Sequence, residues 1–131
     1  MEALCARLKN LNEAGIYRLN CPLGELHAAV SDADFALFDA NLAAAHGKGE
    51  FLTAMATSLQ APEWFGHNLD ALADALGDLS WKNAPGYVLL LRDGGESLGL
   101  SATEHHAVTE IFADTTNFWK SQGKPFWIFY C

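Results

Sequence analysis

Basic residues are scarce in this chain of 131 residues, which has 8 Lys and Arg against 16 Asp and Glu and a formal net charge of −8. A surface that binds phosphates needs clustered Lys and Arg, so this balance argues against direct nucleic-acid or anionic-membrane binding and favours a basic partner. No apolar run approaches the roughly 18 to 20 residues of a membrane-spanning helix. The N-terminus also lacks the basic-then-apolar profile of a signal peptide. We therefore expect a cytoplasmic protein without a membrane contact.

Cysteine is also sparse, with Cys5, Cys21 and Cys131 as the three residues of this type. They fall in no Cys-x-x-Cys or Cys/His spacing, so the sequence predicts neither a disulfide framework nor a metal site. Half of the residues are hydrophobic, and a chain of this length can build a core without metal or disulfides. We expect one compact domain that needs no cofactor and is a monomer when free.

The hydrophobic pattern alternates between strands and helices. Short apolar runs predict strands at 16–19, 35–38, 87–91 and 126–130. Helical spacing predicts helices over 2–13, 23–30 and 51–59, a further helix capped by Asn68 and ending near Gly77, and a last helix from a capping box at Ser101 to about Gly123. Strands separated by helices indicate an α/β fold with a small parallel sheet covered by helices.

One segment stands out by its charge. Residues 51–81 contain no Lys or Arg but hold Glu63, Asp70, Asp74 and Asp78. Like charges four positions apart destabilise a helix by about 0.2–0.5 kcal/mol each, so helix stability does not favour this spacing. Binding to a cationic partner would favour this spacing. The alternative is that these are ordinary solvated acids, with Asp70 suited to the positive first turn of its helix.

Two large aromatic residues, Trp64 and Phe65, directly precede the acidic helix. Aromatic side chains beside charged groups are typical of interface hot spots. Core packing is the alternative for both residues, and more so for Phe65, because Phe is usually buried.

The run over residues 61–76, Ala-Pro-Glu-Trp-Phe-Gly-His-Asn-Leu-Asp-Ala-Leu-Ala-Asp-Ala-Leu, resembles the signature of the barstar family, intracellular inhibitors of barnase-type secreted ribonucleases. The resemblance extends over about residues 34–131. It implies a three-stranded parallel sheet packed with helices, no catalysis, and an acidic helix and aromatic loop that block a basic ribonuclease active site. Residues 1–33 would then be an N-terminal extension, with a helix and a strand, packed on the same domain.

The resemblance also implies roles for individual residues. Asp74 matches the central acid, which takes the place of a substrate phosphate. The other matching positions are the aromatic pair Trp64 and Phe65, Gly66 beside it, Asn68 and Asp70 at the start of the binding helix, and Glu96 as a peripheral acid. The chain departs from the prototype at Ala73, where the prototype has a tryptophan, and at His67, where it has an acid. These departures suggest a different basic nuclease as the target.

Two other functions fit the sequence. The same fold could bind another basic protein without inhibiting a nuclease. A small hydrolase could instead use His105 or His106 with acidic residues, since Glu104 and Glu110 fall on the same predicted helix. That helix lacks the His-Glu-x-x-His motif and a clear third ligand, so we interpret these four residues as solvated rather than metal-binding.

Overall fold

The computed structural model describes residues 4–61 and 68–131. Its sheet contains β1 (Ile16–Arg18), β2 (Ala36–Asn41), β3 (Tyr87–Arg92) and β4 (Phe126–Tyr130) in the order β1-β4-β3-β2, with every pairing parallel. The α-helices of the described residues are α1 (Leu23–Ala33), α2 (Lys48–Leu59), α3 (Leu69–Asp78) and α4 (Ala102–Ser121). Two short 3₁₀ helices, Leu4–Arg7 and Leu11–Glu13, precede β1. Within these residues, no helix is both long and apolar enough to cross a membrane.

The prediction of an α/β fold with a parallel sheet is confirmed, but the expected number of three strands is wrong. β1 comes from the N-terminal segment and pairs with β4, placing Ile16 opposite Ile128. Hydrogen bonds from Ile128 N to Gly15 O (2.9 Å) and from Leu19 N to Tyr130 O (2.8 Å) extend this pairing. Without β1, β4 would be an edge strand with unpaired backbone groups, which proteins usually cover.

Both faces of the central strands are buried. Tyr87, Leu89 and Leu91 of β3 belong to the core that α2, α3 and α4 share with the sheet. Val88 and Leu90 belong to a second core, formed with α1 and the 3₁₀ segment on the opposite face. A parallel strand covered on both sides has a continuous run of apolar residues rather than alternating apolar and polar residues. This explains why five successive residues of β3 are hydrophobic.

The N-terminal layer is fixed to the second face by a buried tryptophan. The ring of Trp127 is fully buried, and its Nε1 donates a hydrogen bond to Leu8 O at 2.8 Å. The expected helix over residues 2–13 is wrong for the part described, which forms the two 3₁₀ helices instead. The Asn10 side chain accepts a hydrogen bond from Asn12 N at 3.1 Å, a local bond that competes with continued α-helix.

Two predicted helix boundaries have different outcomes. The capping box of α4 is confirmed, because Ser101 Oγ accepts from Glu104 N (3.2 Å) and Glu104 Oε1 accepts from Ser101 N (3.1 Å). The predicted end of α3 near Gly77 agrees with the structure to within one residue, since the helix runs to Asp78, but the residue that adopts the left-handed conformation is Leu79, with φ at 51°, and not the glycine. The Leu79 side chain is buried in the core, and this burial offsets the unfavourable backbone conformation.

Replacing Leu26 tests the contribution of the N-terminal layer to stability. Leu26 of α1 is fully buried, so we expect Leu26→Ala to lower the free energy of unfolding by about 2–5 kcal/mol through lost burial and a residual cavity. Leu23→Ala on the same helix is the control, because Leu23 is 40% exposed. Its change should stay within about 0.5 kcal/mol. Urea unfolding measures both, and equal effects would contradict this layer's role.

Candidate functional site

The start of α3 is fixed by its cap and by its buried face. Asn68 has an extended backbone, and its Oδ1 accepts a hydrogen bond from Ala71 N at 2.7 Å, which confirms the predicted cap. Leu72, Ala75 and Leu76 are completely buried. Because this stripe is held in the core, the rotation of the helix about its axis is determined, and the polar face is directed outward.

The polar face carries the acidic stripe, defined here as Asp70, Asp74 and Asp78. All three residues are exposed and lie on successive turns, where side chains four positions apart are neighbours. Asp78 Oδ2 accepts a hydrogen bond from Ser80 Oγ at 3.2 Å. The Arg–carboxylate pairs of the described residues lie elsewhere, at Arg7–Glu13 and Arg92–Asp39. No ion pair with a described cation neutralises Asp70 or Asp74.

Two indole hydrogen bonds hold the far end of α3 and the segment after it. Trp119 Nε1 of α4 donates to Leu76 O at 2.7 Å. Trp81 Nε1 donates to Leu59 O, at the end of α2, at 2.9 Å. Both carbonyls belong to the ends of helices, where backbone acceptors lack intrahelical partners. The bonds therefore fix α3 and the segment after it against α4 and α2, on the same side of the sheet.

Ala73 lies beside the acidic stripe and borders a groove between α3 and α4. The groove has a volume of about 160 Å³, and its other lining residues are Gly77, Ile111, Asp114, Thr115 and Phe118. Phe118 is 43% exposed, one of the large hydrophobic residues left at the surface. Ala73 is among the site residues singled out from the sequence, whereas Phe118 is not. Phe118 could have been found from the spacing of positions 111, 114, 115 and 118, which puts these residues on one face of a helix.

Glu96 occupies a different place. It is exposed and follows β3, where it lines a cavity of about 380 Å³ with Arg18, His105, Thr109 and Tyr130, among others. The structure thus brings Asn68, Asp70, Ala73 and Asp74 together on α3 and its cap, while no described contact joins Glu96 to them. Its role as a peripheral acid stays a prediction. Trp64, Phe65 and Gly66 lie outside the described residues, so their roles stay predictions too.

The histidine-rich part of α4 shows a solvated pair. His106 Nε2 lies 3.1 Å from Glu110 Oε1, with both side chains largely exposed. Among residues 4–61 and 68–131, the side chains whose ligand atoms lie close enough together to hold a metal ion are those of Cys5, Cys21 and Glu25. Burial makes the largest contribution to raising the pKa of Cys21 to about 12, and the neighbouring Cys5 raises it further. Cys21 is therefore a protonated thiol at neutral pH, unlike an activated nucleophile.

Fold and site together define a small α/β protein in which one helix presents carboxylates at the surface, unpaired with any described cation, while its other face anchors it in the core. The family model described as Barstar (barnase inhibitor) matches residues 35–131. The chain belongs to the barstar family, and the resemblance seen in the sequence is confirmed. No curated protein matches the chain significantly. The matched region begins next to β2, so β1 and α1 lie before it.

Replacing the cap tests how the acidic helix is held. Asn68→Ala removes the acceptor for Ala71 N and should lower the free energy of unfolding by about 1 kcal/mol, whereas Asn68→Ser should retain most of the stability because Ser is also a good cap. Denaturant unfolding of the three proteins measures this. Equal stability of the Ala and Ser variants would contradict the capping role.

Proposed function

We propose that this protein inhibits a basic barnase-type ribonuclease by covering its active site with α3 and the segment that precedes it. The observation that carries the proposal is the acidic stripe, exposed and unneutralised on a helix of fixed orientation, in a chain of the barstar family. The protein itself performs no catalysis in this proposal. It takes the place of the substrate.

The charges of the acidic stripe suit such a target. A ribonuclease must bind the phosphates of RNA, so its cleft needs cationic groups that can also accept carboxylates. Hydrogen bonds between charged partners are about twice as strong as neutral ones. Because Asp74 gives up no ion pair with a described cation when it binds, the full interaction is available to the complex. Asp74 is the central contact in this proposal, supported by Asp70 and Asn68.

The groove beside Ala73 favours a target that differs in shape from barnase. A tryptophan at this position would project from α3, whereas Ala73 leaves the groove open next to the exposed Phe118 ring. A side chain of the nuclease can enter this space and bury apolar surface there. We therefore expect barnase itself to bind more weakly than a basic ribonuclease with a protruding residue at this point.

Removing the charge of Asp74 tests the proposed inhibition. Asp74→Asn should weaken binding to the inhibited nuclease by about tenfold to a hundredfold, since hydrogen bonds to charged groups contribute about 1.5–3 kcal/mol. It should not destabilise the protein, because it also removes the two like-charge pairs that Asp74 forms with Asp70 and Asp78 on α3. Inhibition of RNA cleavage by barnase and by a panel of small basic secreted ribonucleases measures the effect.

Asp32→Asn is the matched control for this experiment. Asp32 is an exposed aspartate on α1, so the variant has the same charge change in the other layer and should inhibit like the unaltered protein. If the unaltered protein inhibits no member of the panel, the proposal is wrong. Binding without inhibition would favour the alternative of a non-inhibitory interaction protein.

Salt tests the electrostatic part of the proposal. The association rate with the inhibited nuclease should fall as ionic strength rises from about 0.01 M to about 0.15 M, because the screening length shrinks from about 30 Å to about 8 Å. The dissociation rate should change less. Stopped-flow mixing measures both rates, and Asp74→Asn should show a shallower dependence. An association rate independent of salt would contradict steering by the acidic stripe.

A further inference from the structure

Three potential metal ligands converge in the N-terminal layer, away from α3. Cys5 belongs to the first 3₁₀ helix, Cys21 to the connection before α1, and Glu25 to the first turn of α1. One ligand atom of each, two Sγ and a carboxylate oxygen, lie within 4.8 Å of one another. Cys5 is buried, Cys21 half-buried and Glu25 exposed, so the group reaches from the core to the surface.

We propose that Cys5, Cys21 and Glu25 form a binding site for a thiophilic divalent metal ion such as Zn²⁺. Two thiolates and one carboxylate are ligands that Zn²⁺ accepts, and a water molecule can complete a tetrahedral set. On binding, each thiol releases its proton to solvent and its sulfur donates an electron pair to the metal, with no change of oxidation state.

The separations suit a metal ion. Three atoms within 4.8 Å of one another share a point no more than about 2.8 Å from each, whereas Zn–S and Zn–O bonds measure about 2.3 Å and 2.0–2.2 Å. A contraction of about half an ångström around the ion completes the site. Rotation of the half-exposed Cys21 and the exposed Glu25 side chains provides this without moving the core.

The backbone that carries the ligands is already held in place. Leu4 N donates to Asn20 Oδ1 at 3.2 Å, which joins the segments that contain Cys5 and Cys21. Glu25 N donates to Pro22 O at 3.0 Å at the start of α1. The bond from Trp127 to Leu8 fixes the end of the first segment on the sheet. The metal would therefore bind without ordering a loose chain, which lowers the entropic cost.

The charge around the group favours a cation. None of the ion pairs of the described residues includes Glu25, and the whole chain carries a net charge of −8. The three ligands precede residue 35, where the family match begins. The site is thus independent of the proposed inhibitor function, and either can fail without the other.

Titration of the purified full chain with Co²⁺ and Zn²⁺, in the presence of a non-chelating phosphine reductant, tests the site. We expect one ion per chain, a thiolate-to-Co²⁺ charge-transfer band, and a thermal unfolding midpoint that rises with Zn²⁺ concentration because the ion binds the native state. Cys21→Ser and Glu25→Gln should each weaken binding by about tenfold or more, since even outer-shell changes cost metal sites about 10–100-fold.

Cys131→Ser is the matched control. Cys131 is the exposed third cysteine and is not part of the group, so this variant should bind Co²⁺ like the unaltered chain. Circular dichroism shows whether each variant is folded, and the Glu25→Gln result stands even if a cysteine variant fails to fold. Absence of the charge-transfer band would overturn the proposal, and so would a Co²⁺ affinity of Cys21→Ser and Glu25→Gln equal to that of the unaltered chain. So would a Cys5–Cys21 disulfide that persists in the reductant.

Discussion

Burial of β3 and β4 on both faces is the constraint on which the rest of the structure depends. Residues 87–91 and 126–129 are almost completely removed from solvent, so the chain must supply a covering layer on each side. α2, α3 and α4 form one layer, and the N-terminal segment forms the other. Among the described residues, the buried indole groups of Trp119 and Trp127 donate to backbone carbonyls. This avoids the cost of an unpaired polar group in the core.

The same constraint explains why α3 tolerates its acids. Each like-charge neighbour costs about 0.2–0.5 kcal/mol, while complete burial of Leu72 and Leu76 contributes about 1.5–3 kcal/mol for each side chain. Packing therefore decides whether the helix forms, and the exposed face can vary without loss of the fold. A surface of this kind can be selected for its partner rather than for stability. Asn68 accepts the hydrogen bond of one backbone N–H group at the helix start, that of Ala71, so this cap does not depend on Asp70 or Asp74.

Much of the fold could be predicted from local signals. Asn68 and Ser101 are helix caps by residue type, and the apolar runs at β3 and β4 have no polar interruption. The missed features depend on contacts between distant segments. The strand at β1 was predicted, but its place in the sheet was not, because three residues do not show which strand they pair with, and only the pairing with β4 makes β1 the fourth strand. Leu79 rather than Gly77 ends α3, because core packing holds a leucine in a conformation that favours glycine. Cys5 and Cys21 form no spacing motif, since tertiary structure alone brings them together.

The N-terminal segment is also needed by the region that the family model matches. Val88, Leu90, Trp127 and Phe129 all lie within residues 35–131, yet the side chains that cover them, including Leu8 and Leu26, precede residue 35. Removing this cover would expose a contiguous apolar surface that a monomer rarely leaves in water. We infer that the two segments fold as one unit. A metal ion at Cys5, Cys21 and Glu25 would then stabilise the covering layer, and with it the sheet against which α3 is packed.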